Sequence, residues 1–370
     1  MMNKDKQLAN PSKRSFLQAL PALGAAGALA AGGAGSAFAA GVDQPSAGNP
    51  AHKLKKIGLE EHFMMPSFLD YLAVTKENIR PELYSKAVPL LSDFGASRLD
   101  TMDKNGVDYV VLSLSGPGVQ IEPDTQRATR MARECNDYLA RQTHLRPDRY
   151  GGFAHLALQD PKGAADELER CMTQLGFKGA LINGATNGVY LDDRRYDVFW
   201  ERVEALQAAI YLHPDNPVDH PAMYKDHPEL WGPTWSWAVE TCTHAMRLIF
   251  SGVFDRYPKA KVILGHMGET LPIQLWRLDS RYPISNHRYE IKKKPSEYVR
   301  ENIFITTSGV CSDSALRCSI DALGVENVMF SIDYPFEDTK TATDWISTAR
   351  LTDTERALVA HQNASRLLRL

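Results

Sequence analysis

From residue 55 onward the chain alternates short apolar runs with longer amphipathic stretches. Apolar runs at 57–61, 109–113, 152–156, 180–182, 210–212, 262–264, 303–306 and 328–331 read as strands. Helical periodicity between and after them predicts helices over 125–145, 163–175, 196–208, 235–255, 271–278, 312–323 and 353–368. Strands regularly separated by helices imply a parallel sheet, because a parallel crossover needs a return of helix length. Eight such strands in roughly 300 residues imply an α/β chain closed into a (β/α)8 barrel. A doubly wound open sheet is the competing arrangement. It requires a glycine-rich phosphate turn after the first strand, where this chain has Glu60-Glu61-His62-Phe63. Two stretches exceed the repeat: 66–97 after the first strand, and the Pro-, His- and Trp-rich 215–233 after the fifth. Both leave the C-terminal ends of strands, where barrel enzymes build their sites.

Four strand ends carry metal-ligand or acid–base residues. The first ends in Glu60-x-His62; residues two apart on a strand share a side, so these two face one point and Glu61 turns away. The fifth runs into His213-Pro214, the sixth into Gly265-His266-Met267-Gly268-Glu269, and the eighth into Asp333-Tyr334-Pro335-Phe336. Any one of them alone reads as a hydrogen-bonded structural residue. Four together at one mouth point to a site. The fourth strand ends in Asn183, with Lys178 before it. Carboxylates and imidazoles facing one point suit a divalent ion such as zinc or manganese.

The composition, 44% hydrophobic and 24% charged with a net charge of −3, is that of a globular chain. It carries no basic patch to point toward nucleic acid or an anionic membrane as partner. Residues 1–39 stand apart. Lys13-Arg14-Ser15-Phe16-Leu17 precedes a weakly apolar Ala/Gly run that ends in Ala37-Phe38-Ala39, a small-x-small cleavage pattern. The segment resembles a twin-arginine export signal, with Lys13 in the first arginine place, and implies an exported, periplasmic enzyme. Pro21 and the Gly/Ala content argue against a membrane anchor. Residues 40–54 read as a linker and 55–370 as one catalytic domain. The cysteines, Cys135, Cys171, Cys242, Cys311 and Cys318, are odd in number and form no Cys-x-x-Cys, which fits free thiols.

Glu-x-His on the first strand, His on the fifth and sixth and Asp on the eighth resemble the amidohydrolase superfamily. Leu59-Glu60-Glu61-His62-Phe63, Leu264-Gly265-His266-Met267-Gly268-Glu269 and Phe330-Ser331-Ile332-Asp333-Tyr334-Pro335-Phe336 look like its γ-resorcylate (2,6-dihydroxybenzoate) decarboxylase branch. Gly232-Pro233-Thr234-Trp235 and Trp276-Arg277-Leu278-Asp279 add to the likeness, which runs from Lys55 to Leu370.

The resemblance implies an amidohydrolase-type barrel. It implies that Glu60, His62, His213 and Asp333 hold one divalent metal, with His266 beside the metal and the substrate. The implied reaction is non-oxidative loss of CO2 from a hydroxybenzoate. Asp333 serves as the acid that protonates the ring carbon, and His266 donates to the phenolate oxygen. Phe63, Trp235, Tyr334 and Trp231 are candidate walls for a flat ring. Glu269 and Arg277 are expected to bind substrate, Arg277 across a subunit boundary, which implies a homodimer or homotetramer. Tyr334 departs from the branch, where a tryptophan follows the strand-eight aspartate. A metal hydrolase of lactones or amides on the same barrel is the alternative activity. A non-catalytic binder has no use for His266 and Asp333 beside a metal.

Overall fold

The computed structural model describes residues 54–72 and 80–370. The expected export segment and residues 40–53 of the expected linker lie outside the described residues, as does 73–79 of the first insertion. A strand forms at each of the eight anticipated places, the third earlier than the expected 152–156: β1 (Ile57–Phe63), β2 (Tyr109–Leu114), β3 (Tyr150–Gly152), β4 (Gly179–Asn183), β5 (Ala209–His213), β6 (Lys261–Leu264), β7 (Ile303–Thr306) and β8 (Val328–Met329). Every ladder is parallel. The ladders group as β1-β2-β3 and β4-β5-β6-β7-β8, without the order reversal of a doubly wound sheet.

The two seams carry single bridges rather than ladders, Ala154 with Ala180 and Glu61 with Tyr334. Short backbone bonds accompany them. At the first, Leu181 N–H donates to the Ala154 carbonyl at 3.1 Å; at the second, His62 N–H donates to the Tyr334 carbonyl at 2.8 Å and Asp333 N–H to that of Glu60 at 3.0 Å. The architecture is therefore that of a (β/α)8 barrel.

Two apolar layers hold it. Ile57, Leu59, Val111, Leu181, Tyr211, Ile263 and Met329 form one cluster inside the strands, with Ala364 and Leu368 of the C-terminal helix packed on it. The larger cluster lies between strands and helices and includes Leu112, Ile182, Leu212, Leu264 and Ile305. Strands covered on both faces read as continuous apolar runs, which is why short runs marked them in the sequence.

A β-bulge orients the first strand. The β1–β2 register shifts between Gly58 and Glu61. Below it Ile57 and Leu59 fill the barrel; above it Glu60 and His62 take the inner side, and the Ser331 hydroxyl caps the Leu59 and Glu60 N–H groups at 3.1 and 2.6 Å. Bulges commonly re-aim side chains in this way near functional sites.

The helices follow the anticipated pattern, with local causes for the differences. The 163–175 prediction starts earlier, at Pro161, because Asp160 caps the Gly163 N–H at 3.0 Å. The 235–255 prediction divides at Gly252, whose φ of 72° ends Ser236–Phe250 before Val253–Arg256. A π turn, Leu358–Gln362, interrupts the last helix. The insertion after β1 is not structureless: it contains the helix Pro81–Leu91, and Ala96–Asn105 begins at its end. Pro295–Asn302 and Thr339–Thr348 were not anticipated either.

Candidate metal centre and active site

Glu60, His62 and His213 meet at the C-terminal mouth of the barrel. One ligand atom from each lies within 4.8 Å of the others, and all three residues are buried. On β1 Glu60 and His62 share the inner side as expected, and Glu61 is turned outward to accept the Ile332 N–H at 3.0 Å. Glu60 is fixed by long-range contacts. Its Oε2 accepts from the Tyr211 hydroxyl at 2.5 Å and from the Ser308 hydroxyl, which leaves Oε1 free to face His213 Nε2 at 3.5 Å and His266 Nε2 at 3.3 Å. Gly265 makes room for the carboxylate, since a Cβ there would stand 2.5 Å from Glu60 Oε2. His62 Nδ1 lies 3.3 Å from the Ser113 hydroxyl; the tautomer that donates to it presents the Nε2 lone pair to the site. Asp333 Oδ1 lies 3.2 Å from that Nε2, next to the buried trio.

Glu60 Oε1 and His62 Nε2, which face the centre, are among the buried atoms of this trio that make no hydrogen bond. A buried acceptor left unpaired costs about 1–3 kcal/mol, so their convergence is the mark of a cation site. The donor set fits one divalent ion of the zinc or manganese type. Asn183 is fully buried at the end of β4, opposite His213, so no lysine enters there to bridge a second ion.

Charge states agree with this geometry. Burial pushes the Glu60 carboxyl up, but the imidazoles around it, His266 foremost, outweigh that and hold it well below the usual range, ionised. Burial draws His62 down to about 4 and His213 to about 3, leaving neutral imidazoles, the ligand form. Burial and the Glu60 charge together push Asp333 well above the ordinary aspartate value, which suits an acid. His266 Nδ1 donates to the Ser308 carbonyl at 3.1 Å, aiming Nε2 at the centre. Burial alone draws this imidazole down, yet the Glu60 carboxylate outweighs burial and carries it well above the ordinary histidine value. His266 and Asp333 adopt φ of 47° and 79°, strained for non-glycine residues and held by the surrounding fold.

A cavity of about 420 Å³ opens beside the trio, bounded by His213, His266 and Asp333 below, Phe336 and Trp237 at the sides, and Leu83, Ala87 and Leu90 of the first insertion above. A more open groove of about 670 Å³ continues from it past Trp235, Glu269 and Glu337. The expected Trp235 and Glu269 therefore border the site. Trp235 is half exposed at the rim, and burial pushes Glu269 up to about 7.

Three expected walls are elsewhere. Phe63 lies in the outer layer, its ring 5.5 Å from Phe94 and 6.4 Å from Tyr138, because it follows an inward His62 on the strand. Tyr334 follows Asp333 and is turned outward in the same way, beneath the Arg98 guanidinium at 4.5 Å. Trp231 stacks on His220 at 4.4 Å and does not border the cavity. Arg277 is exposed on the helix Leu271–Arg281 and borders a separate groove with Arg281 and Tyr282, so it does not reach the site of its own chain.

The residues sequence reasoning missed are Phe336, whose ring lies 5.8 Å from His62, and Trp237, tied by its Nε1–H to Asn216 Oδ1 at 2.9 Å. Phe336 ends the eighth-strand motif, and Trp237 stands two positions beyond Trp235. Those placements were the available signals.

The amidohydrolase family model matches residues 74–370. The chain is 42% identical over 328 residues to the gamma-resorcylate decarboxylase of Rhodococcus jostii (strain RHA1), an alignment that spans 85% of this chain and 98% of that protein. It also resembles a 2,6-dihydroxybenzoate decarboxylase solved in complex with 2,6-dihydroxybenzoate, at 41% identity and a TM-score of 0.81, over 85% of this chain and 99% of the other. A dihydroxybenzoic acid decarboxylase from Polaromonas sp. JS666, solved with manganese and the inhibitor 2-nitroresorcinol, superposes with a TM-score of 0.80 at 40% identity, over 85% of this chain and 97% of the other.

Proposed function

The chain belongs to the amidohydrolase family, and from that premise we propose that its metal centre removes CO2 from a 2,6-dihydroxybenzoate-like acid. It is a carbon–carbon lyase, a metal-dependent non-oxidative decarboxylase of a hydroxybenzoate-type acid that uses one divalent metal ion. The observation that carries this reading is the meeting of Glu60 Oε1 and His62 Nε2, buried and without hydrogen bonds, with a neutral His213 and with Asp333, whose acid form burial favours. The reported relatives are decarboxylases, and the hydrolase alternative is set aside.

Glu60, His62, His213 and Asp333 would hold the metal. When bound, it would supply positive charge that holds the phenolate and carboxylate of the acid in place and offsets their negative charge. The reaction consumes one proton per turnover: the ring carbon takes a proton, and the carbon–carbon bond electrons return to the ring as CO2 leaves. Asp333 is placed to give that proton because burial favours its acid form. His266, held through its Nδ1–H, keeps Nε2 aimed inward to donate to the phenolic oxygen. Phe336 and Trp237 confine the flat ring and restrict water.

The deciding experiment is turnover of a hydroxybenzoate panel in deuterated water with the manganese- or zinc-loaded protein. One deuterium is expected on the carbon that lost CO2, and Asp333→Asn is expected to abolish turnover. Opening of a lactone or amide with oxygen from water, and no CO2 from any hydroxybenzoate, would refute the assignment.

Two further readings belong to the same proposal. Ile273, Trp276 and Ile284 are 73%, 79% and 73% exposed around Arg277, a concentration of apolar surface that supports assembly as at least a homodimer, with Arg277 serving a neighbour. Export rests on Lys13-Arg14, the Ala/Gly run and Ala37-Phe38-Ala39. Cell fractionation with N-terminal sequencing tests it: a mature chain starting near residue 40 outside the cytoplasm is expected, and only full-length chain in the cytoplasm would refute it. Among the described residues no helix is long and apolar enough to cross a membrane.

A further inference from the structure

The described residues of the stretch after β1 supply no ligand, yet one side chain there reaches the back of the metal centre. Arg98, on the helix Ala96–Asn105, is 2% exposed. Its Nη2 donates to the His62 carbonyl at 2.6 Å and to the Leu90 carbonyl at 3.2 Å, and its Nε donates to the Asp93 carbonyl at 2.8 Å. The guanidinium carbon lies 4.5 Å over the Tyr334 ring. His62 and Tyr334 are also joined directly by the 2.8 Å bond from His62 N–H to the Tyr334 carbonyl. A single cation thus grips the backbone of one expected ligand, His62, and the side chain next to another, Asp333. Asp333 itself sits at a φ of 79° and needs neighbours to hold it there.

We propose that Arg98 is a positioning residue for the metal centre: it sets the spacing between His62 and Asp333, and through it the metal affinity, without touching substrate. The inference rests on the reading of Glu60, His62, His213 and Asp333 as ligands. Only a planar fork of several N–H donors spans these carbonyls while stacking on a ring; a lysine reaches one carbonyl and offers no flat face.

The test uses full-length protein stripped of metal and titrated with manganese by calorimetry, alongside thermal unfolding and steady-state kinetics on a hydroxybenzoate. Arg98→Lys is expected to weaken manganese binding about 10- to 100-fold, the range for groups that orient metal ligands. Excess manganese is expected to restore kcat, with KM for the acid held within about twofold, since Arg98 does not contact substrate. A folded Arg98→Lys protein that binds manganese with wild-type affinity would overturn the proposal, whatever its thermal stability. If that variant does not fold, Tyr334→Leu replaces it, because it removes the stacked ring and leaves the carbonyl bonds. A severalfold loss of affinity is then expected, and unchanged affinity would overturn the proposal. A wild-type protein that binds no manganese would instead defeat the metal-centre reading.

Discussion

Replacing Gly265 with alanine tests whether Glu60 is built to hold a metal. Gly265 has φ −74° and ψ −170°, an extended backbone that alanine adopts without strain, so any effect comes from the added methyl group. That carbon would stand 2.5 Å from Glu60 Oε2 and 3.1 Å from both Oε1 and the carboxyl carbon. Ordinary contact begins at 3.4 Å, so the carboxylate must retreat by about 0.9 Å. It cannot retreat freely, because Oε2 is held by the Tyr211 and Ser308 hydroxyls.

Hydrogen bonds to a charged group contribute about 1.5–3 kcal/mol each, so loss of one bond predicts a comparable destabilisation and loss of both roughly twice that. A displaced ligand also weakens metal binding, and a loss of the order of 10- to 100-fold is expected. Metal content after dialysis, a manganese titration and kcat at saturating metal measure these effects. Gly265→Ala with wild-type metal affinity and kcat would show that the Glu60 carboxylate does not need its observed position, and the ligand reading would fall with it.

The assembly reading predicts that Trp276→Asp dissociates the oligomer and lowers kcat/KM at least tenfold, read by light scattering and steady-state assay; an active wild-type monomer would refute it. Away from the site, hydrogen bonds from Arg317 and Thr352 push Glu355 down to about 2. A carboxyl depressed on folding stabilises above its unfolded value near 4.3, and that stabilisation is lost as pH falls through the folded value. Glu355→Gln is therefore expected to lower Tm at pH 7, with the gap to wild type narrowing between about pH 4.3 and 2. A gap constant across that range would contradict the assignment.

Much of the site was legible in one dimension because it obeys strand periodicity. Glu60 and His62 share a side and Glu61 does not, as two-residue alternation requires, and His213, His266 and Asp333 all follow apolar runs that become strands. The same rule, applied one residue further, places Phe63 and Tyr334 on the outer side, since each follows an inward residue; choosing them for their aromatic rings overrode the alternation. The helices Pro295–Asn302 and Thr339–Thr348 escaped because their apolar faces are short and their polar content reads as loop.

Other features existed only after folding. The bulge that lets Leu59 fill the barrel and Glu60 enter the site depends on the Ser331 hydroxyl, 271 residues from Glu60. Tyr211 and Ser308, 151 and 248 residues away, hold the carboxylate. Arg98 reaches His62 from the helix that follows the insertion, and Phe336 and Trp237 become cavity walls through the paths of two loops. Local pattern reports which face a side chain takes, because that follows from backbone geometry within one strand. Which distant donor meets which acceptor is decided by barrel closure, where a buried carboxylate takes whatever hydroxyls the neighbouring strands bring within reach.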